Sequence, residues 1–113
     1  MKNENSLRLR HILDAIDAIE SYVLEVDEEQ FSLDAMRHDA VIRQIEIIGE
    51  ATTHLTDDLR KENPDIPWKR IVGTRNRLIH GYTAVSLKFV WRIVKTELPK
   101  FKSGVERILK GRQ

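Results

Sequence analysis

Residues 7–26 read LRLRHILDAIDAIESYVLEV, and their apolar positions decide the fold class. Leu9, Ile12, Ile16, Ile19, Val23 and Val26 recur at steps of three and four, which is the stripe of one amphipathic helix. Asp14, Asp17, Glu20 and Glu25 fill other positions. Asp27-Glu28-Glu29 then breaks the pattern. Ser32 is placed to cap a second helix, with Asp34 in its first turn, running to about Leu55. Its stripe is Leu33, Met36, Val41, Ile45, Ile48, Thr52 and Leu55, widened by Ile42 and Ile47. A stripe that wide predicts a central helix touching more than one neighbour.

Further along, Thr56-Asp57-Asp58 is a cap followed by first-turn acids, opening a short helix to about Glu62. The prolines of Asn63-Pro64-Asp65-Ile66-Pro67 make a rigid connection. A helix from Trp68 to about His80 follows, with Trp68, Ile71, Val72, Leu78 and Ile79 as apolar contacts, and Gly81 suits its end. Ser86 to about Leu98 forms another, with Leu87, Val90, Trp91, Val94 and Leu98 on one side. Pro99 permits a restart, and Phe101, Val105, Ile108 and Leu109 continue the apolar face. No strand alternation persists and no repeat appears. The expected architecture is an all-α, up-and-down bundle of five to six helices in one domain spanning 1–113, with two long N-terminal helices.

Composition narrows the functional classes. With 113 residues there is room for one core. The absence of Cys excludes a disulfide framework, a Cys-ligated zinc site and a thiol nucleophile. No apolar run is long enough to span a bilayer, and the first residues lack the apolar stretch of a signal peptide, so a cytoplasmic protein without membrane partners is expected. The net charge of +1 hides a split. Residues 1–56 carry five basic and twelve acidic side chains, and residues 57–113 carry fourteen and six. A basic half suits a polyanion and an acidic half a basic partner; equally, both could be solvated helix faces.

One stretch stands apart chemically: Arg75-Asn76-Arg77-Leu78-Ile79-His80-Gly81-Tyr82. On a straight helix Arg75 and His80 sit about 140° apart and share no face, whereas Asn76 and His80 do. Either the helix end distorts at Gly81, or two copies of the chain bring their motifs together across a two-fold axis. The chemistry such a cleft suits is RNA cleavage without metal. One imidazole takes the 2′-hydroxyl proton, a second protonates the leaving 5′-oxygen, and a guanidinium fork holds the phosphate. A 2′,3′-cyclic phosphate and a 5′-hydroxyl would result.

Arg75-x4-His80-x-Tyr82, preceded by Pro67-Trp68, resembles the HepT-like branch of the HEPN superfamily. Ile47-Ile48-Gly49-Glu50-Ala51 and the ending around Trp91 and Leu98-Pro99 add to the likeness, which covers about Leu9 to Ile108. The resemblance implies a homodimeric helical bundle with both Arg-x4-His motifs at the interface. It implies a metal-independent ribonuclease toxin whose antitoxin, the nucleotidyltransferase MntA, adds AMP from ATP to the motif tyrosine. Carried to this chain, Arg75 and His80 match the catalytic positions, Asn76 the supporting polar residue and Tyr82 the modified tyrosine. ATP and Mg²⁺ belong to that partner, so no cofactor is expected here, and the RNA substrate is a tRNA or an mRNA.

Around the motif, Arg77, Lys69 and Arg70 are candidate RNA-phosphate contacts, as are Lys88, Arg92 and Lys95. Glu50 either pairs with Arg75 or Arg77 or is plain surface, and Gly49 is read as permitting a close helix contact. Trp68 and Trp91 are read as core or interface anchors. His38 and His54 lack local metal-ligand spacing. The competing functional reading is a catalytically silent helical dimer that binds a minimal nucleotidyltransferase. A nucleic-acid-binding regulator ranks behind both.

Overall fold

The structure is a computed structural model, which describes residues 2–80 and 86–111. Its helices are α1 (Lys2–Tyr22), α2 (Glu28–Leu33), α3 (Ala35–Thr53), α4 (Asp57–Glu62), α5 (Trp68–His80), α6 (Leu87–Arg92) and α7 (Leu98–Gly111). A π-helical turn, Ile93–Glu97, joins α6 to α7 as one continuous rod. No strand occurs among the described residues. The all-α bundle expected from the hydrophobic periods is therefore the observed architecture.

The core forms where those stripes meet. Leu9, Ile12, Ile16 and Ile19 of α1 lie against Val41, Ile45 and Ile48 of α3, all fully or almost fully buried. Helix α3 packs along α1 on one side and along α5 on the other, which makes it the central rod. Val90, Val94, Leu98, Phe101 and Val105 close the core from the α6–α7 rod. Asn5, buried at the start of α1, donates to Thr56 Oγ1 (3.0 Å) and accepts from the Thr56 amide (3.2 Å). Thr56 Oγ1 in turn caps α4 by accepting from Leu59 N. This exchange satisfies a buried amide and pins the first helix to the fourth.

Several local expectations need correction. Helix α1 ends at Tyr22 rather than at Val26: Glu25 adopts φ 60°, and the Arg37 guanidinium donates to the Tyr22 carbonyl, capping the chain end from α3. The acidic break is itself a helix start. Asp27 accepts from Gln30 N while the Gln30 side chain accepts from Asp27 N, a reciprocal capping box that opens α2. Ser32 thus lies inside α2, and Asp34, expected in a first turn, is the N-cap of α3, accepting from Arg37 N. Because the helical phase is reset at Asp34, Leu33 and Met36 fall outside the core and are among the most exposed apolar side chains.

At the other end Pro99 does not restart the helix. In the π turn the Leu98 amide reaches back to the Ile93 carbonyl, so the coil is widened just ahead of the pyrrolidine ring and runs on. On α5, Trp68, Ile71 and Leu78 are buried as expected. Val72 and Ile79 instead line clefts on either side of the helix.

Candidate active site on helix α5

The site begins with a glycine. At Gly49, on α3, a Cβ would lie 2.6 Å from Arg75 Cγ and closer still to Arg75 Cβ. Only the missing side chain lets α5 approach there, so the base of the Arg75 side chain is wedged against the α3 backbone. The next residue on α3 completes the clamp. Glu50 Oε1 accepts from Arg75 Nη2 at 2.7 Å. Its other oxygen, Oε2, lies 3.0 Å from His54 Nε2, one turn along α3. On the far side of the guanidinium, Nη1 donates to Asn76 Oδ1 at 2.9 Å. The Arg75 Nε–H is buried and has no partner among the described residues.

His54, Glu50, Arg75 and Asn76 therefore form one polar chain reaching from α3 to α5. A guanidinium held by a carboxylate and an amide is fixed in orientation, and its remaining N–H groups can fork onto an oxyanion. The group opens into a cleft of about 550 Å³ between α1, α3 and α5, lined among others by Arg8, His11, Arg43, Glu46 and Ile79. Three arginines against two glutamates leave that cleft a slight basic bias.

A family model described as Ribonuclease HepT-like matches residues 12–108. The chain belongs to the HepT-like ribonuclease family. It is 36% identical over 110 residues to the probable ribonuclease HepT of Thermococcus cleftensis, covering 97% of this chain and 100% of that one. It is 40% identical over 98 residues to a Methanocaldococcus jannaschii protein with a provisional RNase name, MJ1380, covering 87% and 90%. A Caldanaerobacter subterraneus protein with a similarly provisional RNase name is 35% identical, covering 89% and 90%. No solved structure matches the chain.

In this HepT-like chain the motif residues are distributed as follows. Arg75 sits in the cleft just described. His80 is the last residue of α5, but its side chain, together with Gly81 and Tyr82, lies outside the described residues. Asn76 touches Arg75 yet lines a second cleft with Lys69. Arg70 and Arg77 border a third, where Arg70 pairs with Glu97 at 3.3 Å and the Arg77 guanidinium lies 4.0 Å from the Phe89 ring centre. The candidate phosphate-binding cations are thus arranged around α5 and not gathered in the Arg75 cleft. Trp68 is buried, edge-on to Phe101, with its indole N–H donated to the Asn63 carbonyl; Trp91 packs on Phe31.

Sequence reasoning misses two sets of participants. His54 invites only a metal reading there, although Glu50 and His54 stand four apart, the spacing that lets helix side chains meet. Arg8 and His11 come from α1, more than sixty residues before Arg75, and nothing local in the sequence announces that they share its cleft.

Proposed function

We propose that this chain is a metal-independent endoribonuclease, working as a homodimer, whose cutting site combines Arg75 and His80. The observation that carries the reading is the clamped guanidinium: Arg75 is wedged on Gly49 and tied to Glu50 and Asn76 in a slightly basic cleft. The family and its ribonuclease-named members support RNA as the substrate. Residues five apart on one helix diverge by about 140°, so a second copy is the simplest way to bring an imidazole opposite each arginine.

In the reaction, one His80 removes the proton of a ribose 2′-hydroxyl as that oxygen attacks phosphorus. The bond to the 5′-oxygen breaks, and a second imidazole supplies the proton the leaving oxygen needs. Arg75 stabilises the charge gathering on the equatorial phosphate oxygens, a pre-set donor that does not have to reorganise. The products are a 2′,3′-cyclic phosphate and a 5′-hydroxyl, and the target is a tRNA or an mRNA.

The same reading includes regulation. A nucleotidyltransferase antitoxin of the MntA kind transfers AMP from ATP to Tyr82: a bond forms between the phenolic oxygen and the α-phosphorus, and pyrophosphate leaves. An AMP anion two residues from His80 would compete with RNA for Arg75. The deciding experiment incubates purified protein with RNA in EDTA. Cleavage lost in His80→Ala and Arg75→Ala supports the reading. Intact RNA together with stable capture of the nucleotidyltransferase would replace it with the silent-partner alternative. For Tyr82, mass spectrometry after incubation with the partner and ATP should show added AMP, absent in Tyr82→Phe.

A further inference from the structure

Helix α5 carries a glycine whose surroundings are unlike those of Gly49. Gly73 is exposed in the middle of the helix, and a Cβ built on it meets nothing within 4 Å. Glycine weakens a helix relative to alanine, and no close approach accounts for its presence. Gly73 is, however, part of the lining of two adjoining clefts. The larger, of about 540 Å³, lies over Trp68 and Val72 and ends at Asn76. The smaller, of about 290 Å³, lies between α5 and the α6–α7 rod. A side chain at 73 would stand as a post between them.

We propose that Gly73 keeps open a seat for the single-stranded RNA flanking the scissile phosphodiester. The proposal rests on the ribonuclease reading and extends it to a face of α5 outside the Arg75 cleft. Charge favours this occupant. Asp57 and Glu97, the carboxylates of the two clefts, are taken by Arg60 (2.8 Å) and Arg70 (3.3 Å). Among the described residues Lys61 and Lys69 on one side, and Arg77 and Arg92 on the other, pair with no carboxylate. Arg77 lies over Phe89, presenting a flat guanidinium on which a base can stack. Asn76 joins the larger cleft to Arg75 through the 2.9 Å hydrogen bond, so a strand lying here leads toward the motif. A second copy of the chain seated on this face by a two-fold would set these cations against their own images.

The test uses full-length Gly73→Ala and Gly73→Leu, both with better helix formers than glycine, so both should melt above wild type. A short fluorescein-labelled single-stranded RNA is titrated against each in a His80→Ala background, and cleavage is followed with His80 intact. Gly73→Ala, which puts a methyl group between the clefts, should bind several-fold more weakly than wild type. Gly73→Leu should bind about tenfold more weakly and raise KM for cleavage, with its oligomeric state unchanged. Lys61→Ala with Lys69→Ala should flatten the salt dependence of binding, by about 0.7 in logarithmic slope for each phosphate no longer neutralised, where Lys110→Ala should not. Equal binding and cleavage by Gly73→Leu and wild type would overturn the seat alone and leave the ribonuclease standing. RNA binding without any cleavage by wild type would overturn the ribonuclease instead. Loss of binding accompanied by dissociation of the oligomer would show that a second copy occupies this face and would also overturn the proposal.

Discussion

Gly49 and Gly73 are the same residue in two different settings: each lies within an unbroken helix, the first on α3 facing α5 and the second on α5 itself. At Gly49 the space of the absent Cβ is filled by another residue's side chain, that of Arg75; at Gly73 it stays open. The first glycine brings two helices together and fixes a charged group between them. The second leaves a surface bare. An identical residue thus builds the inside of the site in one place and keeps its outside clear in the other, and only the neighbours distinguish the two.

The largest effect expected concerns the Arg75-x4-His80 motif, whose arginine the first region holds. Arg75→Ala and His80→Ala should each lower RNA cleavage in EDTA by about 10²–10⁴-fold, read from initial rates on a labelled substrate, with little change in melting temperature. Retained cleavage in either would remove the motif from the chemistry. Next comes the glycine contrast itself. Gly49→Ala should destabilise the fold by about 1–3 kcal/mol, because the new methyl group overlaps Arg75, whereas Gly73→Ala should stabilise it by about 0.5–1 kcal/mol. Urea midpoints at unchanged slope measure both, and equal signs would dissolve the comparison.

Glu50→Gln sharpens it further. The neutral amide can still accept from Arg75 but no longer supplies the charge, so cleavage should fall about tenfold while stability shifts by less than about 1 kcal/mol, as suits a half-exposed pair. The smallest effect lies far from the site. The Arg37 amide and then its guanidinium, both donating to Asp34, hold that carboxyl below its ordinary range. A lowered pKa means a contribution present above the unfolded value and lost as the pH falls through the folded one. Asp34→Asn should therefore lose less stability on acidification than wild type, as a series of urea midpoints against pH would show.

Much of the fold is legible in the sequence, and particular residues show where legibility stops. The stripes of α1 and α3, the Thr56 cap and the start of α5 at Trp68 all follow from local pattern. Asp27 reads as a break because a cap and a break use the same residue types, and the reciprocal bond to Gln30 separates them only once the chain has turned. Pro99 reads as a restart because the rule against proline in a helix presumes an α ladder, and the π turn before it removes the clash. Glu50 stands open between partner and plain surface, since helical spacing relates residues on one helix and says nothing of which residue faces it from another.

By itself, the sequence determined the helical class, the order of the main rods and the chemical character of the motif, because capping and amphipathic period act over a few neighbouring residues. Tertiary structure alone decided that Arg75 meets Glu50, that His54 stands behind that carboxylate, and that Arg8 and His11 share the cleft. Those contacts depend on how α1, α3 and α5 pack, and packing is a property of matched surfaces from distant parts of the chain.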